Sequence, residues 1–282
     1  MKIWPHWLTE TRVVRCVGAN GEPLEIRVRV TAGSPVSEKE AKERLEAIFT
    51  ELTDWNAKVR HRDGDEIAAH RRRLCELHGW LEGGEYARPV CEPVVRELDS
   101  RNVVTRNRYG AEVLNSEETC FIDIDHVRRT FGETWRSLFG GARTPGDVLI
   151  ARMESLLSQS ENADLGFRLY RTAAGFRLAV EGRHLEPESP RARKLMDFFN
   201  ADRIYERLCV SQKCYRARLT PKPSRIRMGR YQDEASWVEE YDRRRRGYAV
   251  CRFICAKGRR LDGSAISLHD GRTLCESDLP LA

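Results

Sequence analysis

The stretch Phe121-Ile122-Asp123-Ile124-Asp125-His126 alternates two carboxylates with apolar side chains. Strict alternation is the period of a β-strand, whose side chains point to opposite faces in turn. Phe121, Asp123 and Asp125 are therefore expected on one face, with Ile122 and Ile124 in the core. Two carboxylates held side by side repel, and a hard divalent cation with oxygen ligands, Mg²⁺ or Mn²⁺, relieves the repulsion. By the same argument, Asp123→Asn or Asp125→Asn is expected to relieve strain in the metal-free protein. The pattern is equally that of an edge strand with an acidic solvent face.

Downstream, Cys214-Tyr215-Arg216-Ala217-Arg218-Leu219 reads as a strand that places Arg216 and Arg218 on one face. Pro221 and Pro223 follow and fix the direction in which Lys222 points. Arg177 lies in another alternating run, Phe176 to Glu181. Phosphoryl and nucleotidyl transfer uses metal ions to bridge phosphate oxygens and cationic side chains to absorb developing charge. In that chemistry Asp123 and Asp125 hold metal, while Arg177, Arg216, Arg218 and Lys222 hold phosphate. The runs Arg71-Arg72-Arg73 and Arg243-Arg244-Arg245-Arg246 read as solvated helix faces. A four-thiolate zinc site from Cys209, Cys214, Cys251 and Cys255 lacks the two-residue gap of zinc knuckles. His126 is expected to cap a backbone carbonyl, and His269-Asp270 forms a candidate orienting pair with no nucleophile to orient.

The elements that must position these groups follow from the pattern. Arg12–Val17 and Leu24–Val30 form a hairpin around Ala19-Asn20-Gly21. Ser37 caps a helix, with Glu40 as its capping-box partner and Ala41, Leu45, Ile48, Phe49 and Leu52 on its buried face. A second helix is expected over 65–77, and Gly83-Gly84 marks a linker. Val103–Arg106, Ala111–Leu114 and the acid-bearing strand read as an antiparallel meander. A helix over 147–158, a hairpin of 167–172 and 176–181 turned by Ala173-Ala174-Gly175, and a helix opening at Pro190 come next. A charged helix over 234–246 and a strand over 248–255 close the chain. The expected fold is α+β, a largely antiparallel sheet with helices on its faces. Residues 1–84 form a small N-terminal α/β unit, and 85–282 form the core with a C-terminal extension.

The 282 residues carry 33% charged and 40% hydrophobic side chains and a formal net charge of +6. That balance suits a globular protein with an anionic partner and excludes a chain dominated by membrane spans. Nine scattered cysteines and a start without an apolar signal core point to reduced thiols in the cytoplasm. No Walker or dinucleotide phosphate loop and no nucleophile elbow is present.

The order of these segments, over roughly residues 103–225, resembles the catalytic core of the archaeo-eukaryotic primase superfamily. The resemblance implies a primase-like core in which the Asp-x-Asp strand, here Asp123 and Asp125, binds Mg²⁺ or Mn²⁺, and Asp202 is the third acid of that site. It implies nucleoside triphosphates and single-stranded or primer-template nucleic acid as partners. The family's phosphate-contacting histidine is Arg177 here, between Gly175 and Leu178. Arginine holds phosphate as well as histidine does, but the family's catalysis does not transfer automatically with it. The segments Arg106–Gly110, Tyr170–Thr172 and Arg216–Pro223 also resemble a bacterial family with no established activity. Two functions stay open: metal-dependent nucleotidyl or phosphoryl transfer, and a catalytically silent nucleotide- or nucleic-acid-binding module of the same fold. A metal-dependent nuclease would need a catalytic lysine or histidine beside the acids.

Overall fold

The computed structural model describes residues 1–18, 21–58, 60–61, 66–67, 69–70, 73–74, 89–127, 144–229, 231 and 235–282. The chain forms two compact units, Lys2–Glu92 and Met1 with Pro93–Ala282.

In the first unit, β1 (His6–Gly18) and β2 (Pro23–Ser34) form the expected hairpin, longer at both ends, and β3 (Arg60–His61) adds in parallel to β1. Helix α1 (Glu38–Lys58) covers the hairpin. Leu45, Ile48, Phe49 and Leu52 meet Val14, Val28, Val30 and Ala32 in one dry core. Ser37 Oγ accepts the Glu40 amide at 3.1 Å, as an N-cap should. The reciprocal bond is displaced: the Glu40 carboxylate takes the Ser34 hydroxyl instead. The helix expected over 65–77 falls largely outside the described residues, as do Arg71, Arg72 and the Gly83-Gly84 linker. Ile67 and Leu74 from that stretch are buried in the same core. Val90 pairs with Ile3 as an isolated parallel bridge, which carries this unit to Glu92.

The second unit is α+β and holds two four-stranded antiparallel sheets. One runs in the order β10 (Tyr215–Arg218), β6 (Glu112–Ser116), β5 (Asn102–Arg106), β4 (Val94–Asp99). The other runs β11 (Cys251–Gly258), β8 (Gly166–Thr172), β9 (Phe176–Glu181), β7 (Cys120–Ile124). The acid-bearing strand β7 therefore does not extend the β5–β6 meander. Strand β6 already has β5 on one side and β10 on the other, so no free edge is left for β7, which pairs with β9 instead. The helices are α2 (Pro145–Leu157), α3 (Pro190–Phe199), α4 (Arg203–Gln212), α5 (Ala235–Arg245) and α6 (Ser264–Thr273). Two of them, α4 and α6, and strand β4 were not expected from periodicity.

The main core joins both sheets to α2 and α3 through Leu114, Ile122, Leu149, Met153, Leu178, Leu195 and Phe199. Each fully buried side chain of this size contributes about 1.5–3 kcal/mol. Cys120, Cys209, Cys214, Cys251 and Cys275 are buried and in no disulfide, and burial pushes the Cys120 thiol up to about 12. Among the described residues, no helix is long and apolar enough to cross a membrane.

Candidate functional site

Strands β7 and β10 are edge strands of different sheets, and they lie side by side. An exposed edge invites unwanted pairing, and here each edge is covered by the other through side chains. Tyr205 of α4 stands between them. Its hydroxyl lies 2.8 Å from the Phe121 carbonyl oxygen of β7 and 3.1 Å from the Arg216 carbonyl oxygen of β10, and it accepts the Arg216 amide at 3.1 Å. Arg177 makes the second connection. Its Nη1 donates to the Arg218 carbonyl oxygen of β10 at 2.9 Å.

Asp123 and Arg177 are cross-strand partners on β7 and β9. The guanidinium meets the carboxylate in a fork, Nε to Oδ1 at 2.8 Å and Nη2 to Oδ2 at 3.2 Å. Arg177 is 1% exposed, whereas 36% of the Asp123 side chain remains open. Burial opposes the ionisation of Asp123, yet the charge and hydrogen bonds of Arg177, with Arg218 behind, hold its pKa below the ordinary carboxylate value. A carboxylate both desolvated and open on one side sits in a recess.

Beneath Arg177 lies His269 of α6, fully buried between the rings of Phe121 and Tyr170. Its Nε2 is 3.4 Å from Arg177 Nη1, and its Nδ1 is 2.9 Å from Asp270 Oδ1. Arginine only donates, so Nε2 is the acceptor and Nδ1 carries the proton donated to Asp270. Asp270 is anchored in turn by the Tyr170 hydroxyl at 2.7 Å and by Arg168 at 2.8 Å. Burial, aided by the Arg177 charge, lowers the His269 pKa against the pull of Asp270. Thus His269 stays neutral and props Arg177 from below.

The other basic residues are not neutralised in this way. Arg218 is half-buried, and among the described residues no side-chain hydrogen bond or ion pair engages its guanidinium. Burial first, then the charge of Arg177 and, more weakly, of Arg225, pull its pKa down to about 10 against the partial offset of Asp123. Lys222 is also lowered, by Arg218, by burial and by Arg225, with Asp125 acting in the opposite sense. Lys222 caps a 3-10 turn, Pro223–Ile226, in which residues three apart eclipse, so Arg225 shares its side. Four cations, Arg177, Arg218, Lys222 and Arg225, thus face two carboxylates, Asp123 and Asp125.

Several expectations change. Phe121 does not share a solvent face with the acids: Cys120, Phe121, Ile122 and Ile124 are all buried, because β7 has protein on both sides. Asp125 is exposed and lies past the end of β7, where the β8–β9 turn packs on it. A Cβ at Gly175 would collide with the Ile124 carbonyl oxygen, which is why that turn needs glycine. Asp202 is the N-cap of α4, its Oδ1 accepting the Ile204 amide at 2.9 Å. It stays in the neighbourhood of β7, since Asn200 Nδ2 donates to the His126 carbonyl oxygen at 3.3 Å. His126 thus offers its carbonyl oxygen to Asn200. Arg216 shares the face of Arg218 by strand period and lies half-buried near Cys209.

The metal expected at the acids has no ready-made cluster among the described residues. Asp123 turns both oxygens to Arg177, and no group of three His, Cys, Asp or Glu among the described residues is placed to hold a metal. That applies to the set Asp123, Asp125 and Asp202, and to the four cysteines. Sequence reasoning missed Tyr205 and the site role of Arg225. The signal for Arg225 was present in its three-residue spacing from Lys222. The chain matches no family model, no curated protein and no solved structure.

Proposed function

We propose that the recess beside Asp123 binds phosphate groups of a nucleotide or a nucleic-acid strand, with Arg218, Lys222 and Arg225 as the phosphate-binding residues. The observation that carries this reading is the Arg218 guanidinium, half-buried beside Arg177 with no side-chain hydrogen bond or ion pair among the described residues, its charge offset only in part by Asp123, whose oxygens are already taken by Arg177. An arriving phosphate supplies the missing negative charge and takes the planar fork of the guanidinium in a bidentate bond. Arg177, locked by Asp123 and His269, adds a fixed positive field at the floor. The resemblance of the segment order to the primase superfamily supports nucleotides and single-stranded nucleic acid as the ligand class. On this reading the chain is a binding module of primase-like design.

A second reading is metal-dependent nucleotidyl transfer in which Mg²⁺ or Mn²⁺ is held by Asp123 and Asp125, with Asp202 as third acid. It is favoured by the open, ionised edge of Asp123. It requires Asp123 to exchange part of its bond to Arg177 for the ion. Incubation with labelled nucleoside triphosphates, a primed template and Mn²⁺ separates the two. The binding reading predicts retention of label on the protein without incorporation, with affinity falling as salt rises. For three phosphate contacts on a single strand the log–log slope is about −2. Salt-independent retention contradicts phosphate binding, and incorporation selects the catalytic reading.

A further inference from the structure

The turn between β5 and β6, Asn107-Arg108-Tyr109-Gly110, is built rigidly although it sits at the surface. Asn107 Oδ1 accepts the amides of Tyr109 and Ala111 at 3.0 and 3.1 Å, an Asx turn that fixes the loop. Gly110 closes it at φ 90°, and any side chain there would strike the rings of Trp237 and Tyr231. Trp237 stacks on Tyr241 with centroids 5.1 Å apart. The Tyr241 hydroxyl bonds the Pro221 carbonyl oxygen at 2.6 Å. One aromatic stack therefore backs both this turn and the Pro221–Pro223 segment.

The two segments also run side by side. Arg218 pairs with Val113 in the ladder, and the Leu219 amide continues it to the Glu112 carbonyl oxygen at 2.8 Å. Past the ladder the Glu112 amide meets the Thr220 hydroxyl at 2.9 Å, and Lys222 lies close enough to Tyr109 for the Tyr109 hydroxyl to influence its charge. Tyr109 is 52% exposed. The Arg108 guanidinium lies over its ring, 4.8 Å from the centroid, and donates to its hydroxyl at 2.6 Å. One ring face is thus backed by a planar cation while half of the side chain stays open.

An open aromatic on a fixed turn beside a row of cations is the pairing by which proteins grip unpaired strands: phosphates track the charge and a base stacks on the ring. We infer that Tyr109 is a base-stacking residue, and that the ligand of this face is a single-stranded nucleic acid whose phosphates run along Arg218, Lys222 and Arg225. The inference rests on the phosphate-binding reading of the recess. It goes further in naming a polymer with accessible bases. Arg218 and Lys222, on either side of the bend at Thr220, and Arg225 influence one another closely enough to act as one cationic group toward neighbouring phosphates. A duplex keeps its bases stacked on one another and leaves none for Tyr109.

The test is fluorescence anisotropy of the full chain with a labelled single-stranded oligothymidylate of about 12 nucleotides, within the usual site sizes of single-strand binders. Tyr109→Ala should weaken binding by about tenfold with the salt slope unchanged, and Tyr109→Phe should bind within about twofold of wild type. An abasic oligonucleotide of the same length should bind wild type and Tyr109→Ala equally. The double variant Arg218→Gln/Lys222→Gln should lose affinity and flatten the salt slope. If Tyr109→Ala binds like wild type while the double variant is weakened, the stacking inference is overturned and the phosphate reading stands. If the double variant binds like wild type, the phosphate reading itself fails. Binding of free nucleoside triphosphate with none of the oligonucleotide, or preference for a duplex, also overturns the inference.

Discussion

Two aspartate–arginine pairs in the second unit are both bidentate, one through Nη1 and Nη2 and the other through Nε and Nη2, and end in different states. At the corner before α3, Arg191 grips both oxygens of Asp164 at 2.7 and 3.0 Å and spends its remaining donors on the Arg183 and Glu161 carbonyl oxygens and on Asn162. Asp164 also accepts the Arg183 amide at 2.7 Å. The hydrogen bond from Arg191 leads the effects that hold the Asp164 pKa well below its usual range. At the Asp123–Arg177 pair the carboxylate is also held by two donors, but Arg218, Lys222 and Arg225 gather beside it, and their charge contributes to the lowered pKa values of Arg218 and Lys222. The first is a clamp that holds two segments of chain. The second has positive charge to spare, and the proposed phosphate reading rests on that surplus more than on the pair itself.

The comparison breaks most visibly through the carboxylates. Asp123→Asn leaves the buried Arg177 without a counter-charge beside two other cations, and is expected to cost about 3 kcal/mol, the low end for breaking a buried pair because Asp123 keeps some water. The structure thereby reverses the sign expected from like-charge repulsion alone, since the nearest charge to Asp123 is Arg177 and not Asp125. Asp164→Asn, at a pair that water reaches, should cost about 1–2 kcal/mol. Chemical denaturation of both variants checks the ranking, and equal losses would dissolve the distinction.

A smaller effect separates the pairs by pH. His269 is buried and neutral with its pKa lowered from 6.5, so the unfolded chain binds this proton first and stability falls as pH drops below about 6.5. Asp123, Asp164 and Asp270 all have lowered pKa values, so their stabilisation is present above 3.8 and is lost only as pH falls below it. Melting temperature against pH should therefore decline in two steps, and His269→Gln should remove the upper one. A single step near pH 4 in both proteins would show that His269 is not held neutral. Smallest of all is the effect of Arg218→Gln on the ligand-free protein. Removing an unanswered, desolvated cation should leave stability within about 1 kcal/mol of wild type, on the stabilising side. A clear loss of stability would mean that Arg218 is a structural partner.

Much of this architecture is legible in the chain because local periods carry it. The β8–β9 hairpin with its Ala173-Ala174-Gly175 turn, the buried face of α1 and the Pro190 helix start all follow from alternation, helical spacing and capping. What is not legible is decided at a distance. Nothing local in β7 says that β6 has no free edge, and so that Asp123 will face Arg177 on β9. The carboxylate of Asp202 reads the same whether it holds an ion or caps a helix, and here the Ile204 amide takes it. The His269-Asp270 pair was visible as a pair, but its task of propping Arg177 depends on α6, whose weak apolar period conceals the helix. Arg177 and Arg218 were legible as cations. Which of the two is neutralised is a property of the assembled sheets.

The surplus charge of Arg218 is tested most directly by isothermal titration of inorganic tripolyphosphate at low salt into wild type and Arg218→Gln. A guanidinium that gains its missing anion contributes a charge-assisted hydrogen bond of about 1.5–3 kcal/mol, so the substitution should weaken binding by roughly ten- to a hundredfold while the fold stays intact. Equal affinity in the two proteins, or no binding by wild type, would contradict the assignment of the recess to phosphate.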